Sequence, residues 1–254
     1  MSENAFKASL KQGDRALIGL WVACADAYVA SIAGGAGFDW LVIDGEHAPN
    51  DLRSIVAQLL ALQSSRAEAV VRPPVDEPWM LKQLLDAGAR TLLVPMVDTP
   101  DQAEEVVRAV RYPPAGIRGM GAALGRASDF SRRGDYATRA DDDICLIVQA
   151  ETPTAMGNLA NIAAVDGVDG IFIGPADLSA CMGLPLTSPE VQRAIEDGIA
   201  TIRAAGKPAG ILTFDDELNR RYLDLGATFV AVGADVTELS RALDALAARY
   251  TTRQ

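Results

Sequence analysis

Eight short, almost continuous apolar runs punctuate the chain, at 17–23, 40–44, 69–72, 91–96, 144–150, 170–173, 208–212 and 229–232. They are rich in Val, Ile, Leu and Ala, the composition of parallel strands covered on both faces. The stretches between them carry helical periodicity. Thr99-Pro100-Asp101-Gln102 reads as an N-cap, a proline at N1 and a glutamine that closes a capping box. Ala103, Val106, Val107 and Val110 then share one face. Ser188-Pro189-Glu190 opens another helix, with Val191, Ile195, Ile199 and Ile202 on a stripe. Asn50 predicts a cap for a helix that turns Leu52, Ile55, Val56, Leu59 and Leu60 inward. Thr152 and Ser179 stand where further N-caps would.

A weak repeat runs through this pattern. Residues 37–44, 88–98, 167–177 and 226–235 each read as a glycine, an apolar strand and an acid. The glycine suits a helix end in left-handed geometry, and the acid falls just past the strand. Eight such units in 254 residues predict one (β/α)8 barrel domain spanning 1–254, with a doubly wound open sheet as the alternative. The one long irregular stretch is 112–143, which includes Gly116-Ile117-Arg118-Gly119-Met120-Gly121. It lacks the third glycine of a dinucleotide fingerprint, and reads either as a functional loop or as a disordered insertion.

Composition narrows the class. The chain is 49% hydrophobic and 22% charged, as globular proteins are. A formal net charge of −11 argues against nucleic acid or an anionic membrane as partner. Cys24, Cys145 and Cys181 show no metal-type spacing and read as reduced thiols of a cytoplasmic protein. The first residues lack a signal-peptide core, and no apolar run approaches the roughly 18 residues a membrane helix needs.

In barrels, catalytic groups gather at the C-terminal ends of the strands. There the second run ends in Asp44, Glu46 and His47, the only histidine of the chain. Its imidazole suits a general base, or it is a polar residue closing a strand. The third run ends in Arg72, which fits a clamp on a carbonyl or carboxylate, or an ion pair with a rim acid. The fifth ends in Gln149-Ala150-Glu151 and the sixth in Gly174-Pro175-Ala176-Asp177. Glu151 and Asp177, on consecutive strands, form an oxygen-only half-site for Mg2+ or Mn2+, unless each merely caps the following helix. The four lysines, Lys7, Lys11, Lys82 and Lys207, end no strand, so a Schiff-base mechanism finds no residue. No GxSxG elbow occurs either.

Several segments together resemble one family: residues 40–50 (Trp40 through Asp44-Gly45-Glu46-His47 to Asn50), Val94-Pro95-Met96-Val97, Arg111-Tyr112-Pro113-Pro114, Val148-Gln149-Ala150-Glu151, and residues 170–179 around Gly174-Pro175-Ala176-Asp177. The family is that of the class II, metal-dependent pyruvate aldolases of the 4-hydroxy-2-oxoheptanedioate and 2-dehydro-3-deoxyglucarate type. The resemblance runs from about Gly19 to Leu246. It implies a (β/α)8 barrel whose last helix exchanges between paired subunits of a hexamer. It further implies a divalent metal (Mg2+ or Mn2+, with Co2+ as another candidate) held by Glu151 and Asp177. Pyruvate would chelate that metal, lined by Gln149, the backbone at Ala176 and the region of Leu212. Arg72 would bond the keto oxygen, and His47, paired with Asp44, would be the base. The glycine-rich loop would help complete a neighbouring subunit's site.

The implied reaction is reversible retro-aldol cleavage of a 4-hydroxy-2-oxo acid to pyruvate and an aldehyde. The departures lie on the aldehyde side: Thr213-Phe214-Asp215-Asp216 and Ala23-Cys24-Ala25-Asp26 are bulkier or more acidic than the family pattern. They leave open succinic semialdehyde, tartronate semialdehyde or something less anionic. Two other readings make different demands on the sequence. A lyase acting on acyl-CoA thioesters would need a basic cluster for the CoA phosphates, and none stands out. A non-catalytic keto-acid-binding barrel would have lost the base or a metal position, and all are present.

Overall fold

The computed structural model describes residues 4–251. Eight parallel strands close into a barrel in chain order: β1 Leu17–Val22, β2 Trp40–Asp44, β3 Glu68–Arg72, β4 Thr91–Val94, β5 Cys145–Ala150, β6 Gly170–Ile173, β7 Ala209–Leu212 and β8 Phe229–Ala234. Closure through the β1–β8 pairing rules out the open doubly wound sheet. The helices are α1 Ala5–Gln12, α2 Ala27–Gly34, α3 Leu52–Ala61, α4 Pro78–Asp86, α5 Pro100–Val110, α6 Tyr136–Asp143, α7 Pro153–Ala164, α8 Pro175–Met182, α9 Pro189–Ala204, α10 Asp216–Asp224 and α11 Asp235–Ala248.

The helix starts follow local chemistry. Thr99 and Gln102 form the expected capping box of α5, and Ser188 caps α9 through the Val191 N–H. Thr152 caps α7. Three expectations are corrected. The cap of α3 is Asp51, which reciprocates with Ser54, while Asn50 instead binds the Asp44 carbonyl and the Gln58 and Ser54 side chains. Within the same helix Leu52 and Leu60 are exposed, not inward, and the buried face is Ile55, Gln58 and Leu59. Ser179 lies inside α8, whose N-cap is Gly174.

The repeated glycines behave as the repeat predicts. Gly37, Gly88, Gly167 and Gly226 all have φ between +95° and +104°, where a side chain would be strained. The stretch 112–143 is ordered, with two 3-10 turns (Ala122–Leu124, Arg126–Ser128) and α6.

Period-two alternation builds two cores. Val22, Leu41, Ile43, Val71, Val94 and Val148 face the helices. Leu17, Trp21, Trp40, Val42, Val70, Ile147, Phe172 and Phe229 fill the barrel. Helix α1 seals its N-terminal end, with the Phe6 ring 5.7 Å from Trp40 and 6.0 Å from Phe229. The same parity decides what faces the other end: two residues beyond Val42, Val70 and Ile147 come Asp44, Arg72 and Gln149.

Candidate active site

Asp44 and Arg72 are opposite each other in the β2–β3 register, both pointing into the barrel. Their side chains therefore meet as a fork: Arg72 Nε donates to Asp44 Oδ1 at 2.9 Å and Nη2 to Oδ2 at 2.7 Å. Asp44 also accepts the backbone N–H groups of Glu46 and His47. Burial opposes its ionisation, but these partners outweigh burial and hold its carboxyl below the usual carboxylate range. The guanidinium lies 5.3 Å from the Trp21 ring centroid. Its remaining nitrogen, Nη1, is 2.8 Å from Glu46 Oε2, yet Glu46 Oε2 has no aligned hydrogen-bond partner. Nη1 is thus the least committed of the three Arg72 nitrogens.

This geometry revises the pairing of the histidine. Asp44 contacts His47 only through the backbone; the carboxylate nearest the imidazole is Glu46, with Oε2 3.8 Å from Nε2. His47 is 64% exposed and looks out of the barrel mouth. Burial pushes Glu46 upward, against the opposing charges of Arg72 and His47.

Glu151 is the buried centre of the site, 2% exposed just beyond β5. Its Oε1 accepts the Met96 N–H at 2.8 Å and its Oε2 accepts Gln149 Nε2 at 3.1 Å. Met96 reaches it from a left-handed backbone, φ +56°, an uncommon conformation for a residue with a side chain. Gly174 lets the carboxylate lie against β6, since a Cβ there would sit 2.2 Å from Glu151 Oε2. Burial, then the charges of Asp177 and Glu46, push Glu151 up to about 7 against the Met96 N–H. Asp177 is not a strand-end residue; it occupies the third position of α8, whose first turn follows β6. Leu212 lines the barrel interior, and Ala176 is exposed at the start of α8.

The structure thus brings Asp44, Glu46, His47, Arg72, Gln149, Glu151 and Asp177 to one rim. Four carboxylates face one arginine. Gln149 Oε1 and Glu46 Oε2 are buried without hydrogen-bond partners. A divalent cation suits this set: it would offset the burial and the neighbouring charges that raise Glu151, and the carboxylates would give it oxygen ligands. Among the described residues no group of three or more His, Cys, Asp or Glu side chains forms a closed cage. Two carboxylates with open positions are what a substrate-chelating Mg2+ or Mn2+ site requires. Sequence reasoning missed Met96 and Trp21, and gave Glu46 no partner role. An acid beside the histidine was the available signal for Glu46; for the other two there was none.

Comparison with known proteins shows the family. The family described as HpcH/HpaI aldolase/citrate lyase matches residues 17–242. A hydroxypyruvate/pyruvate aldolase of Agrobacterium fabrum is 63% identical over 250 residues, covering 98% of this chain and 94% of that protein. A 4-hydroxy-2-oxo-heptane-1,7-dioate aldolase of Escherichia coli is 56% identical over 250 residues, covering 98% and 95%. A crystal structure of an HpcH/HpaI aldolase/citrate lyase family protein from Burkholderia cenocepacia superposes with TM-score 0.94 at 41% identity, covering 98% of this chain and 100% of that one.

Proposed function

The chain belongs to the HpcH/HpaI aldolase/citrate lyase family, and from that premise we propose that it is a divalent-metal-dependent pyruvate aldolase, cleaving 4-hydroxy-2-oxo acids to pyruvate and an aldehyde. The observation that carries the reading is Glu151: a buried carboxylate pushed up to about 7, crowded by Asp177 and Glu46, on the same rim as Arg72 and His47. The aldolases of this family depend on a divalent metal. Glu151 and Asp177 would hold it, with Mg2+ or Mn2+ favoured by the all-oxygen set. When bound, such a cation supplies positive charge to the carboxylate and keto oxygens of a 2-oxo acid.

The remaining work falls to the chain's own groups. Gln149 positions Glu151 by its amide. The N–H groups of Ala176 and Asp177, in the unpaired first turn of α8, offer donors to the substrate carboxylate. Leu212 supplies an apolar wall. Arg72, held in one orientation by the Asp44 fork, directs Nη1 to the keto oxygen, where negative charge develops as the C3–C4 bond breaks. His47 removes the C4 hydroxyl proton, directly or through a water, and returns it in the aldol direction. Asp44 acts on the arginine and on the backbone of His47, and Glu46 on the ring.

Two features support assembly of copies, which we propose as a hexamer of exchanged pairs. Helix α11 buries only Asp235, while Val236, Leu239, Leu243 and Leu246 form an exposed stripe at three- and four-residue spacing. Such a stripe fits the barrel of a second copy. The glycine-rich stretch after α5 lies on the N-terminal rim, opposite its own site, so its part in catalysis would be in a neighbour's. We place the protein in the cytoplasm and treat 1–254 as one domain; no described helix is long and apolar enough to cross a membrane.

Pyruvate release from a 4-hydroxy-2-oxo acid, measured with EDTA and after Mn2+ is restored, tests the reading. Loss on chelation and recovery with Mn2+ are expected. Release that survives full chelation would refute the metal role.

A further inference from the structure

The segments that join strand ends to helices on the catalytic rim are 23–26, 45–51, 73–77, 95–99, 151–152, 174 and 213–215. None contains a lysine or an arginine, and six of the seven contain an acid. The first turns of the helices that follow add Asp101, Asp177, Asp216, Glu217 and Asp235. The one cation in those turns, among the described residues, is Arg53, which stands beside Asp51. Arg72 is enclosed, with two of its nitrogens bonded to Asp44 and the third against Glu46. Met96 and Phe214 are exposed in these segments.

Pyruvate's carboxylate would have a counter-charge in such a rim, from the cation that Glu151 and Asp177 would hold. A carboxylate on the aldehyde half has none left to it: Arg72 is committed to Asp44 and the keto oxygen, Arg53 stands beside Asp51, and the other charged side chains of this chain on the rim repel it. We propose that the physiological acceptor aldehyde is uncharged, rather than the semialdehyde of a dicarboxylic acid. This rests on the aldolase reading above and goes beyond it by naming the acceptor class.

The test uses a matched pair, glyceraldehyde and tartronate semialdehyde, which differ in a CH2OH against a carboxylate. Addition of pyruvate to each is followed in the Mn2+-loaded enzyme. We expect kcat/KM for glyceraldehyde to exceed that for tartronate semialdehyde by at least about tenfold, the scale on which like-charge repulsion discriminates partners. Added salt should raise the value for the anionic aldehyde and leave the neutral one unchanged. The Asp215→Asn/Asp216→Asn variant keeps a capping side chain at 215. It should raise kcat/KM for tartronate semialdehyde several-fold and leave glyceraldehyde alone. Equal values for the pair, or a preference for the anionic aldehyde that salt weakens, would overturn the acceptor class; the second result would place a cation from another copy at this mouth. Failure to join pyruvate to either aldehyde, with no pyruvate released from any 4-hydroxy-2-oxo acid, would instead sink the aldolase reading.

Discussion

The two ends of the barrel treat charge in opposite ways. On the N-terminal rim, cations abound and meet acids at short range: Arg15 with Asp39, Lys7 with Asp169 at 3.2 Å, Arg90 with Asp143, and the buried Arg118 with Asp86 at 2.7 Å. Arg118 also packs its guanidinium 4.3 Å from the Tyr112 ring centroid. Asn4 ties the same end together, donating to Arg90 O, Thr91 Oγ1 and Asp143 O. On the C-terminal rim, Asp177 raises the cost of ionising both Glu46 and Glu151, Glu46 adds to that of Glu151, and the group has one shared arginine. The first rim sets its cations against acids and holds the fold, although Arg118 Nε and Nη1 and the Tyr112 hydroxyl are buried without hydrogen-bond partners. The second is left short of positive charge, and that shortage is what a divalent cation answers. The difference assigns stability to one end and chemistry to the other.

Substitutions at each end should separate these roles. Glu151→Gln is expected to cut metal-dependent cleavage by at least about a thousandfold, since it removes a ligand from an already open site. It should not lower the melting temperature of the metal-free chain at pH 8. A variant that retained turnover would break the comparison at its main point. His47→Ala should lower cleavage by about a hundred- to ten-thousandfold, the usual weight of a positioned base, with Mn2+ binding retained. Loss of Mn2+ along with turnover would make the imidazole a ligand. At the other rim, Asn4→Ala should cost about 2–3 kcal/mol, because three bonds and the α1 cap go together. Denaturant midpoints would show this, and kcat should stay within twofold, roughly the scatter of a distant substitution.

The smallest effect is in pH. Glu151 is raised from its ordinary 4.5 to about 7. In the metal-free chain the stability associated with its protonated form is full below 4.5 and is lost as pH rises through about 7. Metal binding needs the carboxylate, so Mn2+ affinity should fall by up to about tenfold per pH unit below 7 and level off above it. Calorimetric titration from pH 5.5 to 8.5 would reveal a flat profile if Glu151 were not the titrating ligand.

Most of the scaffold was legible because burial on both faces leaves strands no choice of composition. β2 and β6 begin and end where their apolar runs do, and the positive-φ glycines marked four helix ends. The residues of the site were legible as an inventory, since strand ends share a rim. Their pairings were not. The family resemblance implied an Asp44–His47 pair, but strand register sets Asp44 against Arg72 and gives the carboxylate to the guanidinium. Asp51 captured the cap expected of Asn50 because its carboxylate reaches the Ser54 N–H. The help from Met96 is a backbone donation in an uncommon conformation, and no residue type announces it.

The central claim, that the charge shortage of the C-terminal rim is a metal site, is tested most directly by Mn2+ titration followed by electron paramagnetic resonance. The account predicts one bound Mn2+ per chain, abolished in Glu151→Gln and Asp177→Asn and kept in His47→Ala. Undiminished Mn2+ binding by Glu151→Gln and Asp177→Asn would contradict it.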